Sequence, residues 1–90
     1  MDHYKIEFDR RVKKDLKSVP TQDIERIKAA ISNLSVNPRP YGCKKLKGKK
    51  YEYFRIRVGN YRVIYTIKDE ILLIIVVRVG HRKEIYQSLF

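Results

Sequence analysis

The chain has 90 residues, enough for one domain spanning 1–90 with a single modest core and too few for two. A hydrophobic content of 43% excludes a disordered tail, and 21 Lys and Arg against 10 Asp and Glu give a formal charge of +11. So basic a surface attracts polyanions, whether nucleic acid, an anionic membrane or an acidic protein. Cys43 is the sole cysteine, which excludes an internal disulfide, and Met1-Asp2-His3-Tyr4-Lys5 lacks the apolar stretch of a signal peptide. The longest apolar run, Ile71 to Val77, falls far short of the roughly 20 residues of a membrane helix, so a reducing cytoplasm and no membrane partner are expected.

In chain order, Tyr4, Ile6 and Phe8 alternate with polar residues and predict a half-exposed strand. Asp9 offers an N-cap oxygen to a short helix from about Arg10 to Ser18, with Val12, Leu16 and Val19 on one face. Its other face carries Arg10, Arg11, Lys13, Lys14 and Lys17. Thr21 is the expected cap of a second helix, with Asp23 and Glu25 in the first turn, where the dipole favours anions. Ile24, Ile27, Ile31 and Leu34 make its apolar stripe. The two helices are expected to form an antiparallel hairpin lying on a sheet.

Asn37-Pro38-Arg39-Pro40-Tyr41-Gly42 begins a loop. A basic run with one apolar anchor follows, Lys44-Lys45-Leu46-Lys47-Gly48-Lys49-Lys50. Three strands are then predicted as a meander, Tyr51 to Val58, Tyr61 to Ile67 and Ile71 to Val79. Gly59-Asn60 is a favourable two-residue hairpin connection. The third strand is apolar on both faces, which places it centrally, and Gly80 ends it. Residues from about Arg82 to Leu89 form a closing helical turn or a tail. The expected class is α+β: an N-terminal strand and helical hairpin packed on an antiparallel sheet.

Alternation across the strands puts Phe54, Ile56 and Val58 on one face and Tyr51, Tyr53, Arg55 and Arg57 on the other. A two-residue turn at Gly59-Asn60 sets Arg57 opposite Arg62 and Arg55 opposite Ile64. Like charges directly opposite destabilise a sheet, so a fold with no use for them is expected to hold a carboxylate there. Arginines beside tyrosines suit RNA, since guanidinium binds phosphate bidentately and rings stack on bases. Eight of the 21 basic residues lie between Lys44 and Arg62, offset only by Glu52. Val79-Gly80-His81-Arg82-Lys83-Glu84-Ile85-Tyr86 then brings a histidine that titrates near neutrality, a phosphate-binding arginine and a tyrosine hydroxyl. His3 and His81 are the only histidines and no carboxylate cluster joins them, so no metal and no cofactor is expected.

Lys45-Leu46-Lys47-Gly48, Tyr53-Phe54-Arg55-Ile56-Arg57-Val58, Tyr61-Arg62-Val63-Ile64-Tyr65 and the Val79–Tyr86 ending together resemble the RelE/ParE toxin superfamily over nearly the whole chain. The resemblance implies a microbial-RNase-like α+β fold and a toxin of a type II toxin–antitoxin pair. In the RelE-like branch it implies an endoribonuclease that cleaves mRNA in the ribosomal A site, leaving a 2′,3′-cyclic phosphate or related end. Its partners are then ribosome-bound mRNA, ribosomal RNA and a cognate antitoxin, RelB-like or of another class, wrapped on apolar grooves around the helices. The branch's site positions fall on Arg55, Arg57, Arg62, Arg82 and Tyr86. Lys44, Lys45, Lys47, Lys49, Lys50, Tyr53, Lys13 and Lys14 are candidates for RNA and ribosome contact. Several relatives carry lysine where Arg55 and Arg57 stand. Arginine stays protonated and cannot serve as a base, which leaves His81 the natural candidate for proton transfer. The alternatives are a ParE-like DNA gyrase inhibitor without nuclease activity and a non-catalytic RNA-binding module.

Overall fold

The computed structural model describes residues 3–47 and 51–81. The elements follow in the order β1 (Lys5–Phe8), α1 (Arg10–Leu16), α2 (Thr21–Leu34), β2 (Lys44–Lys47), β3 (Glu52–Val58), β4 (Tyr61–Lys68), a 3-10 turn (Asp69–Ile71) and β5 (Leu73–His81). They build one five-stranded sheet in the order β1-β5-β4-β3-β2. Strands β2 to β5 are antiparallel neighbours, while β1 joins β5 in parallel, Lys5 beside Leu73 through Phe8 beside Val76. The sheet is therefore mixed, with the expected meander at its centre.

Local chemistry explains most boundaries. Asp9 is extended and its carboxylate accepts the Arg11 N–H at 2.9 Å, which fixes the start of α1. Helix α2 begins differently from the expectation. Its cap is Pro20, whose carbonyl accepts the N–H groups of Asp23 and Ile24 at 3.0 Å, and no side chain caps it. Thr21 is thus the first helical residue, because the proline ring presets the extended entry that a threonine cap would otherwise supply. The basic run does not stay a loop: Lys44–Lys47 pairs with β3 as an edge strand, Leu46 opposite Tyr53. Strand β5 starts two residues later than predicted, because Asp69–Ile71 coils into a 3-10 turn closed by Leu72 in the left-handed region (φ 51°).

Helix α1 packs on β5 and α2 approaches β3. Val12, Ile27, Leu34, Val63, Tyr65, Ile74, Val76 and Val79 are fully buried between helices and sheet. Each such side chain stabilises the fold by about 1.5–3 kcal/mol over its exposed state. A smaller cluster, Ile64 and Val77 with Leu46, Tyr53 and Ile75, occupies the opposite face of the sheet. Strand β5 is accordingly interior and apolar on both faces, as its composition predicts.

Polar ties fix the loops. The Tyr4 N–H donates to the Ser35 carbonyl at 2.9 Å and the Ser35 hydroxyl donates to the Tyr4 carbonyl at 2.8 Å, joining the end of α2 to β1. Tyr65 hydroxyl donates to the Pro38 carbonyl at 2.7 Å, and burial pushes that phenol's pKa up. Arg39 lies over the Phe54 ring, 5.3 Å from its centroid, and donates to Asp69 at 2.8 Å. Tyr4 donates to the other oxygen of Asp69 at 2.6 Å.

Candidate active site

Register is what assembles the basic face. Gly59 sits at φ +60°, the left-handed value that a two-residue turn needs at its first central position, so Val58 pairs with Tyr61 and Arg57 with Arg62. Tyr53, Arg55, Arg57, Arg62 and Ile64 then share the face turned away from the helices, with Lys44 opposite Arg55. Among the described residues, no carboxylate forms an ion pair with Arg57.

The two arginines meet in a cavity of about 290 Å³ at the end of the hairpin, lined by Arg57, Gly59, Asn60, Tyr61, Arg62 and His81. His81 enters it from an unexpected side. Cross-strand pairing puts Gly80 beside Arg62 and His81 beside Tyr61, on the alternate face. The imidazole therefore reaches the cavity around the open end of the sheet, not from the arginine face. Tyr61 holds it edge-on, ring centroids 5.4 Å apart at 79°. Tyr61, Gly59 and Asn60 were not among the site residues expected from sequence. The turn that sets the register is itself the wall of the cavity, and only three-dimensional closure shows that.

Arg55 shares the face but does not line the cavity. It is 8% exposed, and its Nη2 reaches toward the Gly42 carbonyl at 3.5 Å. A cation desolvated with so little compensation adds to the positive potential of the face. Lys44, Lys45 and Lys47 are exposed along edge strand β2, though Lys45 is paired with Glu52 at 2.5 Å. Tyr53 is half-buried and meets Tyr51 edge-on at 6.4 Å. Lys13 and Lys14 are exposed on α1, away from the cavity walls. Arg82, Tyr86, Lys49 and Lys50 lie outside the described residues. Among the described residues no group of His, Cys, Asp and Glu could hold a metal, and no helix is long and apolar enough to cross a membrane.

A further device fixes the strand that delivers His81. Strand β1 covers β5 only as far as Val76, where the Asp9 N–H donates to the Val76 carbonyl at 2.8 Å. Beyond that point a register shift between Ile64 and Tyr65 of β4 marks a bulge, and Asp15 of α1 takes over. Its carboxylate accepts the Val79 N–H at 3.0 Å and both Nε and Nη2 of Arg78 at 2.9 Å. The one acid on an otherwise basic helix thus closes the edge two residues before the histidine.

Residues 6–86 match the family described as ParE toxin of type II toxin–antitoxin system. Toxin RelE3 of Methanocaldococcus jannaschii is 42% identical over 86 residues, covering 91% of this chain and 94% of the relative. The mRNA interferase toxin RelE of Escherichia coli is 29% identical over 88 residues, covering 94% and 92%. The archaeal RelE–RelB complex of Pyrococcus horikoshii contains a chain that superposes with a TM-score of 0.77 at 27% identity, covering 89% of this chain and 96% of that one.

Proposed function

The chain belongs to the ParE toxin family of type II toxin–antitoxin systems, and from that premise we propose that it is a toxin of the RelE-like branch, an endoribonuclease acting on mRNA in the ribosomal A site. The observation that carries this reading is the cavity in which Arg57 and Arg62 stand side by side with His81 at its rim. A phosphodiester crossing the cavity neutralises both guanidinium groups at once, and the histidine at the rim adds a proton-transfer group that mere docking on another protein does not use.

Cleavage proceeds by attack of the ribose 2′-oxygen on phosphorus. The 2′-O–P bond forms, the P–O5′ bond breaks, the 2′-hydroxyl loses a proton and the departing O5′ gains one. Arg57 and Arg62 bind the non-bridging oxygens, whose charge grows in the transition state, the role in which preorganised donors contribute most. Tyr61 holds the His81 ring at the cavity for one of the two proton transfers. Arg55 supplies field from beneath the face. Arg82 as a phosphate clamp and Tyr86 as the second proton-transfer or stacking group complete the assignment. So few proton-transfer groups suit an enzyme whose RNA is oriented by the ribosome, with the lysines of β2 and Lys13 and Lys14 on ribosomal RNA and Tyr53 stacking on the RNA.

Silencing by a cognate antitoxin belongs to the same proposal. Phe8 is 55% exposed and opens an apolar groove of about 450 Å³ with Val12, Leu16, Ile27 and Ile31. Arg10, Lys13 and Lys28 flank it, which fits an amphipathic antitoxin helix with acidic borders.

The test is a reconstituted translation reaction with mRNA 5′ ends mapped by primer extension, beside Arg62→Ala and Tyr86→Phe. New ends inside translated codons, lost in the variants and absent without ribosomes, are expected. Intact mRNA overturns the nuclease reading. Because the matching family carries the ParE description, DNA gyrase supercoiling is then the assay to run.

A further inference from the structure

Arg26 projects from α2 toward the β3–β4 turn. A Cβ on Gly59 would lie 3.3 Å from both Nη1 and Nη2 of Arg26 and 3.5 Å from its Cζ, so the tip of the guanidinium lies against the turn. A side chain at residue 59 would push that guanidinium outward by a few tenths of an ångström. Gly59 is also a wall of the cavity that holds Arg57, Arg62 and His81. Arg26 therefore stands on the outer, helix side of the same wall whose inner side faces the paired arginines.

Among the described residues only a loose ion pair with Asp23 engages Arg26. The Arg26 side chain is 63% exposed, and its acidic neighbour Asp23 is 3.8 Å away, beyond hydrogen-bond length. An exposed pair at that distance contributes little, while holding a long side chain against one turn costs rotamer freedom. What recovers that cost is a polyanion long enough to pass from one side of the turn to the other. A single phosphate in the cavity would not need Arg26, but a strand would.

We infer that Arg26 is a phosphate-binding residue of the RNA site, gripping a backbone phosphate that flanks the scissile one as the strand bends around the Gly59-Asn60 turn. The inference rests on the nuclease reading above and extends it with a second, helix-borne phosphate subsite. Gly59 has two roles in it: it sets the register of the arginines and leaves the space into which Arg26 packs.

Binding of a 2′-O-methyl oligoribonucleotide of about a dozen nucleotides, which cannot be cleaved, tests this through its salt dependence. Each phosphate neutralised on a single strand contributes about −0.7 to the slope of log K against log salt. Arg26→Gln should flatten the slope by about that amount and weaken binding at low salt. Arg26→Lys should keep the slope. Lys5→Gln, the same charge change on exposed β1 far from the turn, should alter neither. Equal slopes and affinities for Arg26→Gln and Lys5→Gln overturn the role of Arg26. Cleavage of ribosome-bound mRNA by the unaltered chain is read in parallel. Its absence overturns the nuclease reading, whereas equal slopes in a chain that does cleave overturn Arg26 alone. Failure of the unaltered chain to bind the oligonucleotide, in a chain that does cleave ribosome-bound mRNA, overturns the Arg26 subsite alone.

Discussion

Removal of the Asp15 carboxylate should be among the most damaging single changes outside the apolar core. Its side chain is 12% exposed and that of Arg78 is 18% exposed, and the two make a bidentate pair with both contacts at 2.9 Å. Asp15→Ala strips the carboxylate from a largely buried cation and leaves the Val79 N–H without its acceptor. Breaking a buried pair by deleting one partner costs about 3–5 kcal/mol, and an unmet buried N–H about 1–3 kcal/mol. Partial solvent access at this sheet edge offsets part of the sum, which points to about 3 kcal/mol. For a domain of this size each kcal/mol moves Tm by about 4–8 °C, so a drop of roughly 12–24 °C is expected by thermal denaturation. Arg78→Met added to Asp15→Ala should restore much of the loss, since apolar replacement of both partners is often neutral. A Tm change below about 3 °C for Asp15→Ala, or a double variant that simply adds the single losses, would refute the reasoning.

Arg57→Ala should lower mRNA cleavage on ribosomes by about 10²–10³, the usual loss for one transition-state donor, while Tm holds or rises because a like-charge pair is relieved; single-turnover cleavage and a melt on the same sample check both. Tyr65→Phe removes the hydroxyl bonded to the Pro38 carbonyl and should cost about 1 kcal/mol, read as a shift in urea midpoint at unchanged slope. Hydrogen bonds from Arg39 and Tyr4 hold the Asp69 carboxyl below its ordinary value of 3.8, so its contribution is present above that pH and is lost as pH falls through the lowered value. The Tm gap between the unaltered chain and Asp69→Asn should therefore be constant near neutrality and close only below about pH 4.

How much of this was legible in advance depended on the range of the interactions. Gly59-Asn60 dictates a turn by itself, so the register of β3 on β4, and with it the Arg57–Arg62 pair, followed from local chemistry. The cap at Asp9 was equally local. Strand β2 was hidden because Lys-Lys-Leu-Lys has no β-branched residue; tertiary pairing with β3 overrides its weak preference. The parallel docking of β1 on β5 joins residues that no short-range pattern relates. Asp15 carries a local signal, a lone acid among the four cations of α1, but its partner Arg78 lies 63 residues away. The cavity was visible as a list of chemistries, but not the side from which His81 enters, because that depends on where the sheet ends.

The Arg57–Arg62 pair also couples folding to occupancy. A chain that sets like charges opposite each other on neighbouring strands is less stable empty than filled, and any anion that seats between them adds stability that grows with the logarithm of its concentration over its dissociation constant. On the function proposed above, part of the affinity for RNA is thus held, in the empty protein, as a standing weakness of its own sheet.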